Sequence, residues 1–173
     1  MRALLLTSGS LIGARVLNAW LAAGHSVASI WVGSMEPRAA LRYDRQIGLL
    51  APGWSVFSLA RRHRIPVLRS PLLSHEREAL QAVRHLDADM LISAMTHDIV
   101  PPSVLAAFAG RAVNFHPALL PHYRGPNPRA GMILDGTATT FGGVTLHCLS
   151  PEIDRGDIIA AHPVPYDPAR GFI

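Results

Sequence analysis

The chain has 173 residues, 49% of them hydrophobic, which suits one globular domain with a sizeable core. All 16 basic residues are arginine, and the net charge of +4 does not by itself indicate a partner. The single cysteine excludes an internal disulfide and multi-cysteine zinc sites. The apolar run after Met1 is too short for a signal peptide or a membrane span. We therefore expect a soluble, cytoplasmic protein without membrane contact.

The first two thirds of the chain alternate short apolar runs with segments of helical periodicity. Strands are predicted over residues 2–7, 27–32, 65–68, 90–94 and 112–115, and helices over 10–23, 38–49, 55–63, 76–85 and 101–108. This alternation predicts an α/β, Rossmann-like fold with a mainly parallel sheet and helices on both faces. Ligands of such sheets bind at the carboxyl ends of the strands.

The turn after the first strand is a candidate phosphate site. It reads TSGSLIG and lacks the second glycine of a dinucleotide fingerprint, which disfavours a nicotinamide-dependent dehydrogenase. A helix that begins there presents backbone donors, so Ser8, Gly9 and Ser10 are predicted to contact a substrate phosphate.

The strand over 112–115 carries two polar residues at its end. Asn114 and His116 are two positions apart, so on an extended backbone both side chains face the same way and can donate to one oxygen. Two later strands, over 139–149 and 158–164, are predicted to be antiparallel at the C-terminal edge of the sheet. The turn between them holds Asp154, which could orient or charge the imidazole or take a proton. Taken singly, each residue also has an ordinary structural explanation.

The stretches NFHPALLPHYRGPNP and GVTLHCLSPEIDRGDII resemble the folate-dependent formyltransferases, which include the glycinamide ribonucleotide, methionyl-tRNA and amino-sugar enzymes. In that family an Asn-x-His pair and an Asp in a later Asp-x-Gly turn form the catalytic set. The resemblance therefore implies catalysis by Asn114, His116 and Asp154. It also implies 10-formyltetrahydrofolate as donor, a primary amine as acceptor, and a protonated His116 that holds the developing oxyanion together with Asn114.

The resemblance also implies a donor pocket built from two segments, 93–100 and 150–154. The first departs from the family pattern, because Met95 and Thr96 stand where relatives often carry a glycine and an aromatic residue. This departure makes a non-catalytic folate-binding remnant one alternative. A hydrolase of the same family, which passes the formyl group to water with a nearly identical site, is another. The predicted donor-binding residues are Ser93, Met95, His97, Asp98, Ile99, Ser150, Glu152 and Ile153.

The acceptor is less constrained than the donor. Arg124 either contacts an acidic group of the substrate or anchors its own loop, and His122 and His147 could touch substrate. The loop YRGPNP resembles the tRNA and amino-sugar branches. We expect a single catalytic domain over 1–173, either shortened or a fragment, and on that expectation the second domain of the tRNA enzymes counts against tRNA. The glycine-serine-asparagine turn of the purine enzyme is also missing near Ser8. Elimination thus favours a small amine on a nucleotide-linked sugar as the acceptor, although tRNA is not excluded. We expect no bound metal, and the sequence does not indicate an oligomeric state.

Overall fold

The computed structural model describes residues 1–33, 38–70, 75–164, 166–167 and 171–172. The chain forms two compact units, Met1–Ala112 and Val113–Ile173. Within the described ranges, no helix combines the length and the apolar character that crossing a membrane requires.

The first unit alternates strands and helices as the sequence predicts. The third strand begins at Val67, two residues later than predicted, and a short 3-10 turn at Pro52–Trp54 precedes α3. The elements are β1 (Arg2–Thr7), α1 (Leu11–Ala22), β2 (Ser26–Val32), α2 (Arg38–Leu50), α3 (Val56–Arg62), β3 (Val67–Arg69), α4 (Glu76–His85), β4 (Met90–Ala94) and α5 (Pro102–Ala107).

The four strands of this unit form a parallel sheet in the order β3-β2-β1-β4. The central strand β1 is buried from Ala3 to Thr7, and Leu5 pairs with Ile30 on one side and Ile92 on the other. Such continuous burial is typical of a parallel strand that is covered on both faces. The crossovers β1-α1-β2 and β3-α4-β4 run in opposite directions along the sheet, and because such crossovers are right-handed, their helices lie on opposite faces.

The second unit is built around antiparallel strands. Strand β5 begins at the unit boundary, and β6 pairs antiparallel with both β5 and β7. The parallel strands of the first unit and the antiparallel strands near the C-terminus confirm the predicted fold class. The elements are β5 (Ala112–His116), α6 (Pro128–Leu134), α7 (Ala138–Phe141), β6 (Gly143–Cys148), β7 (Ile158–Pro163), β8 (Tyr166–Asp167) and β9 (Gly171–Phe172).

The predicted strand over 139–149 is wrong in its first residues. Residues 138–141 form α7, and β6 begins only at Gly143. The β-branched Thr139 and Thr140 favour a strand locally, but Ala138 is buried in a small core with Ala118 and Met132. Tertiary packing therefore overrides the local preference.

Candidate active site

The register between β5 and β6 places the predicted pair against two further polar residues. Asn114 lies opposite His147, and His116 lies opposite Thr145. Residues directly opposite on antiparallel strands share a face of the sheet. Asn114 Nδ2 lies 3.1 Å from His147 Nε2, so the strand pairing adds a second imidazole to the predicted site.

Asp154 lies between the two imidazoles. Its Oδ2 is 3.4 Å from His116 Nδ1, and its Oδ1 is 3.5 Å from His147 Nε2. The side chains of both histidines are almost fully buried, and that of Asp154 is 10% exposed. The structure thus brings the three predicted catalytic residues together within the second unit, while their catalytic roles stay a prediction.

The loop after β5 holds the Asp154 turn in place. Gly125 N donates to Asp154 Oδ2 at 2.8 Å, and Arg124 Nε donates to the main-chain oxygen of Asp154 at 2.9 Å. Asp154 itself has a left-handed φ of 51°, a conformation that aspartate tolerates better than most residues. The Arg124 bond favours the loop-anchoring role, and its contact with a substrate stays a prediction.

The hydrogen bonds of the two histidines define which ring nitrogens carry protons. His116 Nε2 lies 2.8 Å from the carbonyl oxygen of Tyr123, and His147 Nδ1 lies 2.8 Å from that of Cys148. A carbonyl oxygen can only accept, so each of these nitrogens donates. In the neutral rings the lone pairs are then on His116 Nδ1, which faces Asp154, and on His147 Nε2, which accepts from the Asn114 amide.

Side chains on the far side of the loop anchor Tyr123, whose carbonyl fixes His116. The Tyr123 hydroxyl donates to Asp135 Oδ2 at 2.9 Å and also bonds Thr137 Oγ1. Its backbone is left-handed, with φ 53°. The Tyr123 carbonyl that accepts from His116 is therefore fixed by hydrogen bonds of the Tyr123 ring to the C-terminal end of α6. The sequence alone did not predict this link.

Burial controls the protonation of His116. Burial lowers the pKa of His116 below its ordinary value of 6.5, and this effect outweighs the nearby Asp154 carboxylate and the Tyr123 hydrogen bond, which raise it. The adjacent His147 lowers it further. The lowered pKa favours a neutral His116 in the free protein. The protonated ring that the family resemblance implies belongs to the step in which the oxyanion forms, and that role stays a prediction.

Asp154 stays ionised although its side chain is largely buried. Burial by itself would raise the pKa of this carboxyl, but the close contact with His147, the hydrogen bond from the Gly125 amide and the proximity of His116 bring it below its ordinary value. The site thus combines a neutral base and a permanent negative charge that can stabilise the protonated form of that base.

The predicted donor segment of the first unit follows β4. Ser93 and Asp98 are buried and Ile99 is exposed. Met95 has a left-handed φ of 55°, and its carbonyl accepts from Ser8 N at 3.0 Å. The carboxylate oxygens of Asp98 are buried and have no hydrogen-bond partner among the residues that the structure describes. His97 lies in the same loop, and its predicted role is untested.

The remaining predicted contacts are engaged in local structure. In the first unit Ser8 and Gly9 are buried, and the Ser10 hydroxyl accepts from Gly13 N and so caps α1. In the second unit the Ser150 hydroxyl donates to the Glu152 carbonyl at 2.7 Å. Glu152 pairs with Arg155 on the surface, and Ile153 is exposed. Ligand binding by these residues stays a prediction.

Gly156 is expected to be intolerant of a side chain, because a Cβ there would lie 1.9 Å from the Cys148 carbonyl oxygen. We expect Gly156→Ala to destabilise the protein by about 1–3 kcal/mol through this backbone overlap, measured by urea unfolding. Gly53→Ala is the matched control, since a Cβ at that position meets nothing within 4 Å. Equal stabilities of the two variants would show that the Asp154 turn adapts freely.

Comparisons with known proteins agree with this geometry. A family model described as "Formyl transferase" matches residues 1–170. The chain is 37% identical over 168 residues to a methionyl-tRNA formyltransferase of Chloroflexus aggregans, which covers 97% of this chain and 51% of that protein. A methionyl-tRNA formyltransferase of Moorella thermoacetica is 34% identical over 152 residues, or 88% of this chain and 46% of that protein. The chain thus spans about half the length of these relatives.

Solved structures share the fold. The crystal structure of phosphoribosylglycinamide formyltransferase from Bacillus halodurans aligns with a TM-score of 0.73 and 26% identity over 97% of this chain and 81% of that one. A formyltetrahydrofolate deformylase from Pseudomonas syringae pv. tomato aligns with a TM-score of 0.71 and 23% identity, over 97% of this chain and 52% of that one. The match along residues 1–170 shows that the chain belongs to the formyl transferase family.

Proposed function

We propose that this chain catalyses the transfer of a formyl group from 10-formyltetrahydrofolate to a primary amine. Members of the family use this donor. The observation that carries the proposal is the Asp154 carboxylate between two imidazoles, with the Asn114 amide bonded to one of them. Acyl transfer between nitrogens needs a group that moves a proton and a donor that stabilises a developing oxyanion. The cluster contains both.

His116 acts as the proton carrier. In its neutral form Nδ1 takes a proton from the attacking amine as the amine nitrogen bonds to the formyl carbon. The resulting imidazolium donates through Nε2 to the Tyr123 carbonyl and faces Asp154 through Nδ1. Both neighbours favour the charged ring, so the proton is held until the second half of the reaction.

Asn114 stabilises the oxygen that gains negative charge during the attack. One N–H of its amide donates to His147, and the second donates to this oxygen. When bound, the donor supplies a formyl group on a nitrogen that can leave. His116 returns its proton to that nitrogen as the old carbon–nitrogen bond breaks, so the protein ends in its initial protonation state.

The end of β4 fits a donor that carries N–H groups. Within the part of the chain that the structure describes, the two buried oxygens of Asp98 accept no hydrogen bond, and the loop from Ser93 to Ile99 would hold the pterin part of the donor. The left-handed Met95 stands in place of the glycine expected from the family pattern, and the loop retains its backbone bond to Ser8.

The acceptor amine distinguishes several members of the family. Elimination from the sequence favours a nucleotide-linked amino sugar, whereas the names of relatives at 34–37% identity favour methionyl-tRNA. The predicted hydrolase would use water instead. The cluster around Asp154 serves either amine acceptor, because the proton transfer and the oxyanion are the same for each amine.

The test is a screen of acceptors with the purified chain and 10-formyltetrahydrofolate. Release of tetrahydrofolate is followed by absorbance, and the formylated product is identified by mass spectrometry. Methionyl-tRNA, a nucleotide-linked amino sugar and buffer alone form the three arms. Release that depends on an amine supports the proposal, while equal release in buffer alone identifies a hydrolase. Binding of the donor without release in any arm would identify a non-catalytic folate-binding protein.

A further inference from the structure

Two acceptors flank the ring of His116 and compete for its single proton while the ring is neutral. The main-chain oxygen of Tyr123 lies 2.8 Å from Nε2, and Asp154 Oδ2 lies 3.4 Å from Nδ1. A neutral imidazole has one N–H, so a proton on Nε2 leaves the lone pair on Nδ1, and a proton on Nδ1 leaves it on Nε2. Only the first tautomer can accept a further proton at the nitrogen that faces Asp154.

The loop after β5 decides this competition in favour of Nε2. A carboxylate is by its charge a stronger acceptor than a neutral carbonyl. The distance from Nδ1 to Asp154, however, exceeds the usual range of about 2.7–3.2 Å for an N–H···O bond. The same Oδ2 already accepts from Gly125 N at 2.8 Å. Residues 123–125 therefore present one acceptor to Nε2 and occupy the competing one.

The backbone of Tyr123 is not in a conformation that the residue prefers by itself. Its φ of 53° lies in the left-handed region, which is unfavourable for a bulky side chain. Such a conformation persists only where the surrounding structure fixes it. The direction of the Tyr123 carbonyl therefore depends on what holds the rest of the residue.

Contacts of the Tyr123 ring supply this support. Its hydroxyl donates to Asp135 Oδ2 at 2.9 Å, and because that bond uses its only proton, Thr137 Oγ1 donates to the Tyr123 oxygen. The ring lies against α6, where a Cβ at Gly131 would come within 3.2 Å of it, and its centroid is 5.8 Å from that of Phe141. Groups of α6, of α7 and of the turn between them thus hold one ring.

The turn between α6 and α7 has its own backbone hydrogen bonds. Asp135 N donates to the Gly131 carbonyl and Thr137 N to the Met132 carbonyl, each at 2.9 Å. Gly136 takes the left-handed conformation that the turn requires, with φ 67°. The two side chains that bond the Tyr123 hydroxyl are therefore placed independently of the catalytic cluster.

We propose that Tyr123 is a positioning residue that selects the tautomer of His116. The bonds of its ring to Asp135 and Thr137 aim its main-chain carbonyl at Nε2, so the Nδ1 lone pair stays available for the amine proton. Without this carbonyl the proton would move to Nδ1 and bond Asp154, and the ring could not take the amine proton there. The inference rests on the proposed function and deepens it, because Tyr123 acts through His116 and does not touch the reacting atoms.

The experiment compares the wild type with Tyr123→Phe, which removes the hydroxyl and keeps the ring. Nitrogen NMR of ligand-free protein with isotope-labelled histidine, at mildly alkaline pH, distinguishes the N–H nitrogen from the lone-pair nitrogen, and His116→Ala identifies the His116 signals. Release of tetrahydrofolate gives kcat and KM, and thermal melting gives stability. Tyr43→Phe is the matched control, because Tyr43 is 58% exposed and lies in the first unit.

We expect His116 to carry its proton on Nε2 in the wild type and partly on Nδ1 in Tyr123→Phe. The kcat of this variant should fall about 3- to 10-fold, the effect of one hydrogen bond, while KM stays unchanged. Asp135→Ala should act in the same direction, whereas Asp135→Asn keeps a side-chain oxygen for the Tyr123 hydroxyl and should restore the wild-type tautomer. Tyr43→Phe should match the wild type in both measurements.

The pH profile gives a second readout that a merely structural role would not change. The groups that face the His116 ring are Asp154, His147 and the Tyr123 carbonyl, and the bond to this carbonyl raises the pKa of the ring. A weaker bond in Tyr123→Phe should therefore move the acid limb of kcat/KM to lower pH. An acid limb that stays in place or moves upward would overturn the proposal.

The tautomer measurement separates this inference from the proposed function. A wild-type ring with its proton on Nδ1, or a Tyr123→Phe ring with the wild-type tautomer, would overturn the inference even if formyl transfer is observed. A lower kcat with an unchanged tautomer would also overturn it, because Tyr123 would then act by another route. A wild type that transfers no formyl group overturns the proposed function alone, since the tautomer is measured without ligand.

Discussion

His116→Ala is expected to lower the rate of formyl transfer by about 100- to 1000-fold while the protein remains folded. The ring is the group that accepts the amine proton in the proposed reaction, and the other imidazole beside Asp154, that of His147, already accepts the Asn114 amide at its Nε2. Transfer is measured as kcat and KM from tetrahydrofolate release, and folding by circular dichroism and thermal melting. The loss should appear in kcat, because substrate binding does not require the proton transfer.

His162→Ala is the matched control for this variant. His162 lies exposed on β7, outside the cluster, and should keep the wild-type rate. If His116→Ala retained most of its activity, another group would carry the proton, and the role assigned to His116 would be wrong. A chemical rescue by added imidazole would strengthen the assignment, because it restores the base without the side chain.

Asp154→Asn is expected to reduce kcat by a similar factor, about 100- to 1000-fold. The change preserves size and can keep the bond from Gly125 N, but it removes the negative charge between His116 and His147. The imidazolium formed during the reaction then lacks its main electrostatic support. Asp157→Asn serves as the control, because Asp157 is exposed in the same turn and should leave the rate unchanged.

The pH dependence separates a catalytic charge from a structural one. Burial lowers the pKa of His116, and Asp154 partly opposes this by raising it. The acid limb of kcat/KM in the wild type should therefore lie below pH 6.5, the ordinary value for histidine. The residual activity of Asp154→Asn should have its acid limb at still lower pH, because the negative charge that raises the pKa of His116 is gone. A limb that moved upward or stayed in place would contradict direct coupling between the two groups.

Sequence reasoning predicted the strand order along the chain and the main site residues because both depend on local signals. Apolar runs and helical periodicity place the strands and helices of the first unit to within a few residues. The Asn114-His116 spacing and the Asp154 turn are readable because an extended strand and a glycine turn have predictable geometry. The predicted strand over 139–149 failed at its start, where burial of Ala138 outweighed the threonines.

The sequence by itself thus determined the family, the fold class and the three candidate catalytic residues. Only the tertiary structure decided that His147 lies opposite Asn114, because strand register depends on pairing between segments far apart in the chain. It also decided that burial lowers the pKa of His116, and that the Asp98 carboxylate has no hydrogen-bond partner within the described parts of the chain. Burial and hydrogen-bond partners set both properties, and they exist only once separate segments of the chain have packed together.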